Sequence, residues 1–265
     1  MAVSAYAQYD DEKDFKVERE GNGITITRYI GTKTVVRIPP RIQNLPVTNI
    51  GSGAFAYCFS LASVTIPDSV TSIGEDAFFW CTSLTSVTIP NSVTNIGSGA
   101  FFWCTSLTSV TIPNSVTSIG DGAFSNCTSL IAINVNTGNS AYSAQDGILY
   151  NKDKTILHTY PAGKTNASFT IQNSVTSIGS MAFSGCISLT SVTIPNSVTT
   201  IGDRAFLGCE NFTSVTIPNS VTSIGDGAFS NCTSLIAINV NTGNSAYSAQ
   251  DGVLYNKNKT ILHTY

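Results

Sequence analysis

The sequence predicts a solenoid, a stack of short repeat units with a parallel β-sheet along one side, and three observations predict it. Cys58, Cys81, Cys104, Cys127, Cys186, Cys209 and Cys232 are separated by 23, 23, 23, 59, 23 and 23 residues. Each of them closes the same phrase, Ala-Phe-x-x-Cys, as in Ala100-Phe101-x-x-Cys104. A larger block also recurs. Pro113 to Tyr160 and Pro218 to Tyr265 differ only where Ile148 becomes Val253 and Asp153 becomes Asn258. Fixed periods of this size mark architectures in which each unit buries its apolar side against its neighbours.

The unit itself explains why. In Leu84-x-x-Val87-x-Ile89, alternation along a strand sends Val87 and Ile89 to one side. The flanking β-branched residues favour the extended state. Pro90 removes a backbone donor and ends the ladder, and Asn91-Ser92 supplies the bend. Val93 and Ile96 return to the core, and Gly97 is expected to free the backbone for a turn. Ala100, Phe101 and Cys104 line the inside of a short helical or 3-10 turn, since positions three and four apart share a side. Leucine at this spacing is the leucine-rich-repeat signature. The cysteines read as a ladder of small buried thiols. No Cys-x-x-Cys pair or histidine cluster suggests a metal, so neither metal nor cofactor is expected.

Taken in order, residues 1–13 are expected to be a flexible arm. Residues 14–46 form an N-terminal β cap, with strand-like runs at Phe15-Lys16-Val17, Gly23 to Thr27 and Thr34 to Pro39, covering the first rung. Residues 47–135 are regular repeats. Residues 136–168 are an irregular insert, in which Gly147 to Tyr150 and Thr155 to His158 flank a polar turn as a β-hairpin. Regular repeats return over 169–240, and 241–265 is a second hairpin unit that stops in mid-module. That stop is expected to mark a piece of a longer protein, or an open end that meets another chain.

Charged residues are only 11% of the chain and the net charge is −3. No lysine or arginine occurs from Ile42 to Asn151, which argues against a phosphate-tracking surface and so against nucleic acid. No apolar run is long enough to span a membrane, and the first residues lack the basic and apolar regions of a signal peptide. There is no nucleophile elbow, zinc-protease histidine pair or phosphate-cradling loop, so no catalytic residue is assigned and an enzyme is not expected.

The phrase LxSVTIPxSVTSIGxxAFxxC resembles the Treponema/BspA-like bacterial class of leucine-rich repeats, and DGILYNKDKTILHTYPAGK resembles the irregular units of that class. The likeness covers residues 21–265. It implies a curved, right-handed superhelical array. It also implies a secreted or surface-attached protein, often an adhesin for host proteins or other cells, and it carries over no catalytic residues.

Two surfaces are candidates for a ligand. The residues between Phe and Cys vary: Ala56-Tyr57, Phe79-Trp80 and Phe102-Trp103 are aromatic in neighbouring units. Tyr57, Phe79, Trp80, Phe102 and Trp103 are therefore expected to form an outward strip that contacts a protein or glycan. The competing reading is local packing or self-association. The outward sheet positions Ser63, Thr65, Ser86, Thr88, Ser109, Thr111, Ser191, Thr193, Ser214 and Thr216 form hydroxyl ladders, read either as a contact face or as plain solubilisation. The expected function is an extracellular or cell-surface binding module; the alternative is a spacer that displays neighbouring domains.

Overall fold

Each regular unit folds into two short strands and a run of turns, and the neighbouring units complete all three. The structure, a computed structural model, describes residues 9–260 and 262–264. In the first sheet Ser63–Thr65 pairs in parallel with Ser86–Thr88, Val64 opposite Val87. Ser109–Ile112 pairs with Ala132–Val135, and Ser168–Thr170 with Ser191–Thr193. Alternation buries Val64, Val87, Val110 and Val192 and leaves Thr65, Thr88, Thr111 and Thr193 exposed. A second parallel ladder runs through Leu45–Ile50, Ser72–Ile73, Asn95–Ile96 and Ser118–Ile119. Its inward column is Ile50, Ile73, Ile96 and Ile119. The result is a right-handed leucine-rich-repeat solenoid.

The third side is built of turns, not helix. Ala100, Phe102 and Cys104 donate their amides to Gly97, Gly99 and Phe101 three residues back. The alternate amides of Gly99, Phe101 and Trp103 donate instead to Asp121, Ala123 and Ser125 on the next rung. A helix would keep every such bond within itself; here half of them tie rung to rung. Behind the turns, Tyr29, Phe55, Phe78, Phe101 and Phe124 stack at centroid spacings of 5.3, 5.0, 5.1 and 5.5 Å. Cys81, Cys104, Cys127, Cys209 and Cys232 donate to the phenylalanine carbonyl of the rung before, Cys104 to Phe78 at 3.2 Å and Cys127 to Phe101 at 3.1 Å, and Cys186 donates to the carbonyl of Tyr160. Cys58, on the first rung, is only half-buried, short of the fully buried ladder expected. All seven cysteines are free thiols, and burial pushes the Cys127 thiol up to about 12.

Gly97 has a different reason from the expected one. Its backbone is not in the left-handed region; a Cβ there would lie 2.5 Å from the Glu75 nitrogen and 2.6 Å from the Gly74 carbonyl carbon. The residue is needed for close approach of two rungs rather than for freedom to turn.

The cap is the expected strand structure. Phe15–Glu20 and Gly23–Tyr29 form an antiparallel pair, and Gly23–Tyr29 continues the second ladder onto Leu45–Ile50. Tyr29 takes the place of the rung phenylalanine. Residues 1–8 of the expected arm lie outside the described residues. Within the described part of that arm Asp10 is buried, and its carboxylate accepts from the Lys33 ammonium at 2.6 Å and from the Arg37 amide at 2.7 Å, while Asp11, Glu12 and Lys13 are exposed.

The insert has one strand more than the sequence suggests. Tyr142–Gln145, Ile148–Asn151 and Ile156–Thr159 make an antiparallel meander, and Ile156–Thr159 then pairs in parallel with Ser177–Ile178. The core divides here: Leu149 packs on the preceding rungs, and Ile148 and Tyr150 on the following ones. Asn139 anchors the unit. Fully buried, it donates to the carbonyls of Pro113 and Val116 at 2.7 and 2.9 Å and accepts from the amides of Ala141 and Tyr142 at 2.9 and 2.7 Å. Asn244 repeats all four bonds in the second hairpin unit. The expected contact through the open C-terminal end falls partly on Ile261 and Tyr265, which lie outside the described residues.

Candidate functional site

Each run of turns contains two left-handed residues. The first position holds Gly53, Asp76, Gly99, Gly122, Met181, Arg204 and Gly227. The second, four residues on, holds Tyr57, Trp80, Trp103, Asn126, Gly185, Gly208 and Asn231. Glycine adopts this conformation without cost and asparagine tolerates it. Any other side chain costs roughly 1–2 kcal/mol there. Four units carry glycine or asparagine at the second position. The first three carry Tyr57 at φ 64°, Trp80 at φ 59° and Trp103 at φ 61°.

These three side chains face outward together. Tyr57 is 55% exposed and Trp80 and Trp103 are each 38% exposed. Tyr57 meets Trp80 edge-on at 5.9 Å, and Trp80 meets Trp103 edge-on at the same distance. Phe79 and Phe102 form a half-buried row beside them, stacked at 5.7 Å. Phe59, exposed and 6.3 Å from the Trp80 ring, extends the patch at its N-terminal end; nothing in its repeat position had singled it out. At the other end the strip stops. Ser125 and Asn126 are buried under the rung beyond the insert, where the Asn126 side-chain amide donates to Ser184 Oγ at 2.9 Å. Charges of both signs lie nearby: Lys33 borders the same hollow as Tyr57 and Phe59, and Asp76 sits in the turn that carries Trp80. Burial raises the Asp76 carboxyl, with the adjacent Glu75 charge adding to it.

The sheet-face hydroxyls are a separate surface. Of the ten, Ser63 and Ser191 are half-buried and the other eight are exposed. None of the ten donates to another protein group among the described residues. Elsewhere the hydroxyls are used structurally: Thr71, Thr94 and Thr117 each donate to the carbonyl of the equivalent residue one rung earlier.

His158 has a structural place. Its Nε2 lies 3.1 Å from the Ile119 carbonyl, to which it donates, and its Nδ1 accepts from Thr159 Oγ1 at 3.0 Å. The Ile119 amide donates to the Tyr142 hydroxyl at 2.7 Å. Two side chains of the meander thus satisfy the backbone of a strand whose ladder ends there. Burial lowers the pKa of His158 below its usual value. The folded chain therefore binds the proton less readily than the unfolded one, and the stability held above about pH 6.5 is lost as pH falls below it. Urea titrations from pH 7.5 to 5 are expected to show this loss, and His158→Gln is expected to flatten it. An equal pH slope in the variant would remove His158 as the cause. The side chain of its counterpart His263 lies outside the described residues.

Among the described residues no three His, Cys, Asp or Glu side chains gather as a metal site, and no helix is long and apolar enough to cross a membrane. The model of the BspA-type leucine-rich repeat region matches residues 48–166 and 154–262, in six copies. A leucine-rich repeat protein from Eubacterium ventriosum shares 31% identity at a TM-score of 0.68, over 83% of this chain and 68% of that one. The Treponema pallidum leucine-rich repeat protein shares 31% at 0.53, over 86% and 91%. The pneumococcal vaccine antigen PcpA shares 22% at 0.53, over 87% and 80%, a likeness of fold. None of the curated proteins compared with the chain matches it.

Proposed function

This chain belongs to the BspA-type leucine-rich-repeat family, and from that premise we propose that it is a non-catalytic binding module working outside the cell, with the aromatic strip as its contact for a protein partner. One observation carries the reading. Tyr57, Trp80 and Trp103 occupy backbone positions where glycine or asparagine serves the same fold in four other units. Their strain, roughly 1–2 kcal/mol each, is of the size that their edge-to-face ring contacts return, about 0.5–1.5 kcal/mol per pair. The fold gains little from them. Backbone strain held at contiguous exposed aromatic residues is what a contact site retains, and tryptophan and tyrosine dominate the energetics of protein interfaces.

The test is a binding screen of the chain against extracellular-matrix proteins, mucins and arrayed glycans, beside Trp80→Asn/Trp103→Asn. The variant is expected to keep its unfolding midpoint within about 1 kcal/mol. It is expected to lose at least tenfold in affinity for a protein partner, since hot-spot truncation costs roughly 2 kcal/mol or more. A large drop in stability would make the strip a packing device. Unchanged binding would move the contact elsewhere. Dimerisation of the parent that the variant abolishes would make the partner a second copy of the chain.

A further inference from the structure

The first sheet opens at two equivalent places 105 residues apart, each just ahead of one copy of the duplicated block. Ser63–Thr65 and Ser86–Thr88 pair over three residues, but Ser86–Thr88 and the next strand, Ser109–Ile112, belong to separate sheets. At the second place Ser191–Thr193 and Ser214–Ile217 share a single pair, Ser191 with Ser214. The cause lies one rung further on. Ser109–Ile112 is held over four pairs by Ala132–Val135 of the hairpin unit, the Asn136 amide donates to Ile112, and Asn139 grips the bend at Pro113 and Val116. The hydroxyl of Ser92 still reaches back to the Val70 carbonyl at 2.6 Å. Its equivalents across the openings, Ser115 and Ser220, have buried hydroxyls with no partner, as does Ser197 one rung before the second opening.

Each opening is a groove. The first is walled by Ser86, Thr88, Asn91, Ser109, Thr111 and Asn136 over a floor of Val87 and Ile89. Every one of these residues recurs, unchanged in type, 105 positions later in the second. No Lys, Arg, Asp or Glu lines either groove. The wall hydroxyls make no bond to the protein, and the asparagine side chains are exposed.

We propose that each groove is a subsite for an uncharged, extended oligosaccharide, and that the duplication gives the chain two equal subsites in tandem. Hydroxyls and primary amides both donate and accept, which matches the vicinal hydroxyls of a sugar. The valine and isoleucine floor takes the C–H face of a pyranose ring, and the polar groups of the walls fix its orientation. A site without charge has nothing to pair with a sulfate or carboxylate, so an anionic glycan would be desolvated for no return. Three regular units and one hairpin unit separate the grooves, on the order of 20 Å at the ~4.8 Å strand spacing. One long chain can therefore span both.

Calorimetry of the full chain tests this, with linear oligomers of glucose, mannose and N-acetylglucosamine of increasing length, and a polyuronate as the anionic control. Short neutral oligomers of at least one of these sugars are expected to bind at two equal sites. Oligomers long enough to bridge are expected to bind at one site per chain, about a hundredfold more tightly through the effective concentration of the second contact. Asn91→Ala/Asn136→Ala, which removes exposed side chains only, is expected to leave one site for short oligomers and to abolish the gain with length. Adding Asn196→Ala/Asn241→Ala is expected to abolish binding, with the circular dichroism unchanged. Absence of saturable binding by every neutral oligomer, equal binding of the polyuronate, or a stoichiometry indifferent to the asparagine variants would each overturn the proposal. Trp80→Asn/Trp103→Asn is expected to leave these isotherms unchanged, so the two surfaces are tested separately.

Discussion

Asn139→Ala is expected to lower the stability of the chain by about 4 kcal/mol, from roughly 1 kcal/mol for each of four hydrogen bonds lost in a buried place. The side chain is an adaptor between two kinds of unit. A regular unit bonds to its neighbour through backbone ladders. The loop that opens the hairpin unit cannot, because its chain must leave the stack to form the meander. The carboxamide fills that gap, with two donors for the carbonyls of Pro113 and Val116 and one acceptor for the amides of Ala141 and Tyr142. Truncation leaves two carbonyls and two amides without the side chain that pairs them. The neighbouring Asn136, exposed, is the control: Asn136→Ala is expected to change stability by less than about 0.5 kcal/mol. Paired urea titrations decide it. A loss below about 1 kcal/mol for Asn139→Ala would mean that the loop finds other partners and that the amide is no anchor.

What the sequence made legible was what repeats. The 23-residue phrase carried the first sheet, the phenylalanine column and the buried thiols, since each side chain recurs at one structural position. The meander was half legible. Gly147 to Tyr150 and Thr155 to His158 read as strands from their apolar pairs Ile148-Leu149 and Ile156-Leu157, but Tyr142–Gln145 is a four-residue Tyr-Ser-Ala-Gln run, too short and too weakly apolar to show its period, and its partner is recognised only once the backbone has turned. The second ladder was missed because two-residue strands such as Ser72–Ile73 are too short to show a period. The aromatic strip was visible as composition, and its strain was visible in another form. Aligning the units places Trp80 and Trp103 with Asn126, Gly185, Gly208 and Asn231, and a column of glycine and asparagine signals left-handed backbone. The hydroxyl ladders had two readings because serine and threonine are alike in sequence whether they bond the rung before, as Thr94 does, or face solvent, as Thr88 does. That division requires the stack.

Two glycines of one unit separate space from conformation, and their variants are expected to differ sharply. Gly97→Ala is expected to cost about 3 kcal/mol or more, at the upper end of what overpacking does, because the new methyl meets backbone, 2.5 Å from the Glu75 nitrogen and 2.8 Å from the Gly74 carbonyl oxygen. No rotamer relieves a clash with main chain. The two rungs must part, and the Gly97 amide would lose its 2.8 Å bond to the Ile73 carbonyl. The same contact recurs along the stack, Gly74 on Gly51 at 2.7 Å and Gly202 on the Ser180 nitrogen at 2.6 Å, so the spacing of the whole array rests on this column. Gly99, two residues on, is left-handed at φ 62°, yet its nearest neighbour is the movable carboxylate of Asp76. Units that place Asp76, Met181 or Arg204 at that position fold in the same way. Gly99→Asn is therefore expected to cost under about 1 kcal/mol, the small penalty of a residue that tolerates the left-handed region. Thermal or urea midpoints of the two variants measure the contrast directly. Equal losses would mean that conformation, not contact between rungs, governs this turn. A larger loss at Gly99 than at Gly97 would place the tightest constraint of the unit at the same kind of left-handed turn that carries the aromatic strip.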